Sequence, residues 1–238
     1  MNPAMVIARR EVRAYFNSPV AYIVVAAFTI IAGGIFFIFK FFLTQEASLR
    51  GFFETMPMLF MFLAPAITMR LIADEKASGT LELLITMPVR DWQVVLGKFL
   101  AAMALLATTL ALTLVFAITV RALGPVDRGP TIGGYLGLLL MGGAYMAIGV
   151  MSSAFTRSSI VACIVAFVIS LGLFIVGQAT QYLPAGPLQG FASFIGIGTH
   201  FDNISRGIID TRDVIYYFSV MGICLLLATL SLESRRWN

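Results

Sequence analysis

The chain has 238 residues, 59% of them hydrophobic and 12% charged, with a formal net charge of +4. A soluble domain carries about 25% charged residues. This composition therefore excludes an ordinary soluble enzyme and a disordered chain, and the absence of a basic block argues against a nucleic-acid binder.

A spanning helix needs about 20 apolar residues, so the length holds six spans and no large soluble domain. Before the first span, Met5, Ala8, Val12 and Tyr15 fall at helical spacing beside Arg9, Arg10 and Arg13. This pattern predicts an amphipathic interfacial helix over residues 1–18. Ser18 is placed to cap the first span and Pro19 suits its first turn. That span is Val20 to Leu43, with Lys40 near its far end. The second, Phe52 to Ile72, contains Pro57 and Pro65, which predict a kink or break. The third, Trp92 to Val120, carries Lys98 near its start. The fourth, Ile132 to Phe155, is rich in glycine and includes Gly133-x-x-x-Gly137, a pattern for close helix packing. The fifth is Ser159 to Ala179 and the sixth Val214 to Leu232. Between them, residues 182–213 read as an external segment. Leu188 to Gly198 is too short and broken to span and suits a re-entrant hairpin, followed by an amphipathic helix. The expected fold is an all-α integral membrane protein with one transmembrane domain over residues 1–238.

Alternating spans with an inside N-terminus put Arg9, Arg10, Arg13, Arg70, Lys76, Arg90, Lys98, Arg157, Arg235 and Arg236 inside, 10 of the 16 basic residues. The positive-inside rule then predicts both termini in the cytoplasm. Arg9-Arg10 before an apolar run resembles a twin-arginine signal. The run is too long for one, and no small-x-small cleavage site follows.

The spans show every charge at an end, which argues against a self-powered secondary transporter. Enzyme chemistry is thin. His200 is the only histidine and reads as a loop hydrogen-bonder. Cys163 and Cys224 read as small buried hydrophobes. No G-x-x-x-x-G-K-[ST] sequence occurs, so the chain has no P-loop of its own. No catalytic residue, cofactor or metal site is predicted.

The loop over residues 73–91 is the most informative segment. Gly79 breaks the chain, and Thr80 to Thr86 suits two helical turns with Glu82 near their positive end. Leu81, Leu84 and Ile85 share a face, Pro88 stops the helix, and Asp91 is placed to cap the next one. The residues alone leave two readings open: a hairpin resting on the membrane, or a rigid knob offered to a cytosolic partner.

Glu75-Lys-Ala-Ser-Gly-Thr-Leu-Glu-Leu-Leu84, then Met87-Pro-Val-Arg90 and Gly97-Lys98, resembles the signature of ABC-2 type permeases. Phe201-Asp-Asn-Ile-Ser-Arg-Gly-Ile-Ile-Asp210, then Arg212-Asp213 and Tyr216, is similar to the external segment of the branch that holds gliding-motility (GldF) and NosY-like permeases. The resemblance implies a permease subunit in the bacterial inner membrane. It would pair with a second permease protomer, as homo- or heterodimer, and with a separate cytosolic ATPase that binds ATP and magnesium. It further implies that the short helix after span two is a coupling helix. Its ATPase contacts would be Glu75, Gly79, Thr80, Leu81, Glu82, Leu84 and Arg90, with Arg9 and Arg13 on the N-terminal helix. Phe201, Arg206, Gly207 and Asp210 would mark the external segment over the exit path. The alternative is a non-transporting assembly or force-transducing subunit on the same ATPase-coupled fold, with a partner that has a large extracytoplasmic domain.

Overall fold

The computed structural model describes residues 3–42, 48–80, 89–184 and 186–234. Helix α1 is Pro3–Asn17. Helix α2, Pro19–Gly34, continues as a π-helix over Ile35–Phe41. Then follow α3 (Arg50–Thr68), α4 (Ala73–Ala77), α5 (Asp91–Leu123), α6 (Arg128–Phe155) and α7 (Ser159–Ala179). The remaining helices are α8 (Pro187–Ile195), α9 (Ile197–Ser205) and α10 (Thr211–Glu233). No strand occurs among the described residues. Among the described residues, six helical stretches are long and apolar enough to cross a membrane: α2 with its π extension, α3 through α4, α5, α6, α7 and α10.

Local signals explain most boundaries. Ser18 Oγ accepts from Val20 N at 3.3 Å, with Pro19 in the first turn of α2. Arg90, rather than Asp91, is the N-cap of α5; its backbone N–H donates to Gln93 Oε1 at 3.1 Å, and Asp91 is the first helical residue. At 33 residues, α5 spans about 50 Å, well beyond a hydrocarbon core of about 30 Å.

Of the kink or break expected at Pro57 and Pro65, no break occurs at either residue. Helix α3 runs through both prolines and ends at Thr68, and residues 69–72 form the turn before α4. The cause lies on α6. Ser153 Oγ accepts from the N–H groups of Ile72 (3.1 Å) and Ala73 (3.0 Å), and donates to Met69 O at 3.0 Å. A hydroxyl 80 residues away thus caps α4 and stabilises the break.

Helix α6 is the centre of the bundle and packs on α3, α5, α7, α9 and α10. Its apolar window is 78% buried, against 22% for α7 and α10. The glycines make this possible. A Cβ on Gly134 would lie 2.3 Å from the Phe53 ring, and one on Gly149 1.9 Å from Thr68 Oγ1. Gly133 and Gly137 seat α9 through Ile204 and Phe201. The close packing expected from the glycine pattern is what the helix does.

At the end of the bundle away from α1, Phe36 and Phe37 of the π-helix join Phe52, Phe53, Phe116 and Tyr135 in a chain of edge-on and tilted rings.

Candidate functional site

The site is a junction where α1, α4 and α5 meet. Lys98 lies seven residues into α5, about 10 Å along its axis. Its side chain is 1% exposed. A cation buried this deeply is costly unless paired, and two carboxylates supply the pairing. Lys98 Nζ lies 2.8 Å from Glu75 Oε1 of α4 and 3.5 Å from Glu11 Oε1 of α1. Arg10 closes the group, 2.7 Å from Glu11 and 3.7 Å from Glu75. The Glu11 hydrogen bond, against some desolvation, holds the Arg10 proton more firmly than usual. Two cations and two anions balance. Glu75 Oε2 is buried and has no hydrogen-bond partner among the described residues.

Close backbone approach brings the helices together. A Cβ on Gly97 would meet Ala4 O at 2.8 Å and Ile7 at 2.9 Å, so α1 crosses α5 where α5 has no side chain. On the other flank, Lys76 Nζ and Ser231 Oγ both donate to Ala154 O near the end of α6, the latter at 2.9 Å. Helix α4 is therefore tied to α1, α5 and α6 within five residues of its own. Gly79 follows at φ +73°, a left-handed turn that favours glycine.

Removing the Ser153 hydroxyl tests the α4 anchor. Ser153→Ala leaves two buried N–H groups without an acceptor and should cost about 1–3 kcal/mol, read as a lower unfolding temperature. Ser152→Ala, whose hydroxyl donates to Ile148 O in its own helix, should cost less.

The opposite end carries a second constellation. His200 Nδ1 lies 2.6 Å from Asp213 Oδ1, and Nε2 lies 3.1 Å from Phe194 O. Its ring stacks on Tyr216 with centroids 4.0 Å apart. Tyr216 and Tyr217 donate to Ile195 O (2.5 Å) and Ile197 O (2.8 Å). Together these contacts clamp the α8–α9 turn to the first turns of α10. Beside it opens a cavity of 810 Å³, whose lining includes Arg50, Glu54, Asp127, Gln178, Phe201 and Arg206. Asp202 also lines it; burial raises its carboxyl above the ordinary value, against the pull of Arg206.

A family model described as "ABC-2 family transporter protein" matches residues 5–232. The chain belongs to the ABC-2 transporter family. It is a multi-pass membrane permease, the non-catalytic membrane component of an ABC transporter. Comparison with curated proteins gives no match.

Among the residues picked out in this permease by sequence, Glu75 sits in the charged junction and Gly79 in the left-handed turn. Arg90 caps α5. Arg9 and Arg13 lie on the exposed face of α1, outside the junction. Leu81, Glu82, Leu84 and the Thr80–Thr86 helix fall on residues 81–88, outside the described residues apart from Thr80. Phe201 is buried against α6, and Arg206 lines the cavity. Gly207 adopts φ +86°, and Asp210 caps α10 by accepting from Arg212 N at 2.9 Å. The sequence reading missed Lys98, Glu11, Arg10, Lys76 and Ser153 as one unit. Lys98 does lie near the start of its span, as the sequence indicates, but its burial and its two acidic partners were not foreseen. A lone cation in an otherwise apolar run, needing an acid, was the available signal.

Proposed function

We propose that the permease is driven by a separate cytosolic ATPase that docks on residues 73–91 and moves α4, α1 and α5 together. One observation carries this reading: Glu75, four residues before the Gly79 turn, bonds a buried Lys98 on span three and neighbours Glu11 and Arg10 on the interfacial helix. A push on the segment beyond Gly79 is passed to three elements through charges that cannot separate cheaply. Glu75, Gly79, Thr80, Leu81, Glu82, Leu84 and Arg90 form the docking segment. The α1 end is then cytoplasmic, with both chain termini inside the bacterial inner membrane. Two protomers, identical or not, complete the pathway, and ATP with magnesium binds only on the ATPase.

The test is a pull-down with a P-loop ATPase, followed by permease-stimulated hydrolysis. Leu81→Asp and Glu82→Lys should each abolish the stimulation while the permease dimer persists. Normal ATP-driven activity in both variants would overturn the docking assignment.

A second reading is favoured by Phe201 to Asp210, which resembles the gliding-motility (GldF) and NosY-like branch. On it, the α8–α9 end carries force or assembly to a partner with an extracytoplasmic domain, and no bulk cargo crosses. ATP-dependent cargo movement in reconstituted vesicles decides between the two.

A further inference from the structure

Helix α1 has one face on α5 and the opposite face bare. Ala4, Ile7 and Ala8 are buried, whereas Met5, Val6, Arg9, Arg10, Arg13 and Asn17 are exposed. At about 100° per residue, the bare side runs from Met5 and Phe16 on one edge, through Arg9 and Arg13, to Arg10 on the other. The two edges face different surroundings. Arg10 is engaged by Glu11 and Glu75. Phe16 instead meets the ring of Tyr22 edge-on, with centroids 6.0 Å apart. Tyr22 stands in the first turn of spanning helix α2 and is 59% exposed, turned away from the bundle. A tyrosine exposed at the mouth of a span belongs at the membrane–water boundary. The Met5–Phe16 edge is therefore the membrane edge of α1.

Arg9 and Arg13 lie just above that edge, one turn apart, with Cβ atoms about 5–6 Å from each other. Neither has an acidic partner among the described residues. With Arg10 they bound a shallow depression over Val6, Ala14 and Asn17. Two guanidinium forks at this spacing and height match a phosphodiester, which arginine binds in bidentate fashion. We propose that Arg9 and Arg13 hold the phosphate of an anionic membrane glycerophospholipid, whose acyl chains descend past Met5, Phe16 and Tyr22. The pair then contacts lipid, and the ATPase contact on α1 is left to the Arg10–Glu11 edge.

The full chain, reconstituted in phosphatidylcholine nanodiscs, is labelled with limiting photoactivatable phosphatidylglycerol, or with phosphatidylcholine carrying the same photogroup. Phosphatidylglycerol should label α1 in excess. Arg9→Gln with Arg13→Gln should lower that labelling by about 25-fold, roughly fivefold per arginine at an anionic surface, while labelling of lipid-facing α7 stays constant. Arg9→Lys with Arg13→Lys should keep most of it. Equal labelling of α1 by the two probes would overturn the proposal, as would full phosphatidylglycerol labelling in the glutamine variant. So would displacement of the phosphatidylglycerol label when the ATPase is added, because the pair would then belong to the protein contact.

Discussion

Lys98→Ala should abolish permease-stimulated ATP hydrolysis and cost about 3–5 kcal/mol of stability, the range for breaking a buried ion pair from one side. The loss exceeds that of the cation's own contacts. Glu75 Oε1 would lose the Nζ at 2.8 Å, and Glu75 Oε2 is already buried without a hydrogen-bond partner among the described residues. Glu11 would keep Arg10 and so suffer less. The double variant Lys98→Met with Glu75→Leu separates folding from coupling. It replaces the pair by apolar side chains, which often restores stability in full. It cannot restore the charged link between α4, α1 and α5. The expected outcome is a near-native unfolding temperature with stimulated hydrolysis still absent. A double variant that recovers both would show that the junction is structural only.

Gly149→Val should be strongly damaging in the bundle core. Even the first added carbon would lie 1.9 Å from Thr68 Oγ1 and 2.8 Å from Thr68 Cβ, both on a residue with no exposure. Neither side can yield, because Thr68 ends α3 and donates to Ala64 O at 2.7 Å, one residue before the turn that Ser153 caps. Overpacking costs about 1–3 kcal/mol and occasionally more, and a contact this short belongs at the upper end, measured as loss of folded protein on heating. Gly149→Ala with Thr68→Ala should recover part of the loss. Gly172→Ala is the control: nothing lies within 4 Å of that Cβ, and α7 should gain about 1 kcal/mol from the better helix former. A destabilised Gly172→Ala would point to a general intolerance and away from the Thr68 contact.

Much of this architecture was legible in the residues. The six apolar runs, the Ser18-Pro19 entry to α2 and the small-residue face of α6 follow from local chemistry. What stayed hidden was non-local. The end of α3 is not fixed by its prolines but by a hydroxyl on α6. Lys98 read only as a charge near the start of its span, because its partners stand 23 and 87 positions away. His200 read correctly as a hydrogen-bonder. Its partner Asp213, 4% exposed, sits in the first turn of a span where an acid ordinarily complements the helix dipole, so nothing marked it as paired.

The π-wound end of the first span has a consequence for how that end evolves. In an α-helix, residues five apart point about 140° away from each other. Phe36 and Phe41 nevertheless bring their rings to 6.0 Å, and Phe36 and Phe37, neighbours in sequence, to 4.9 Å. The wider winding gathers on one side rings that a regular helix would scatter. Such a segment is equivalent to one residue inserted in a regular turn. Deleting a single residue between Ile35 and Phe41 would re-aim the aromatic tip while leaving the regular part of the span, Pro19–Gly34, in register. The tip is thus a part that can be retuned by length alone, without touching the helix that carries it.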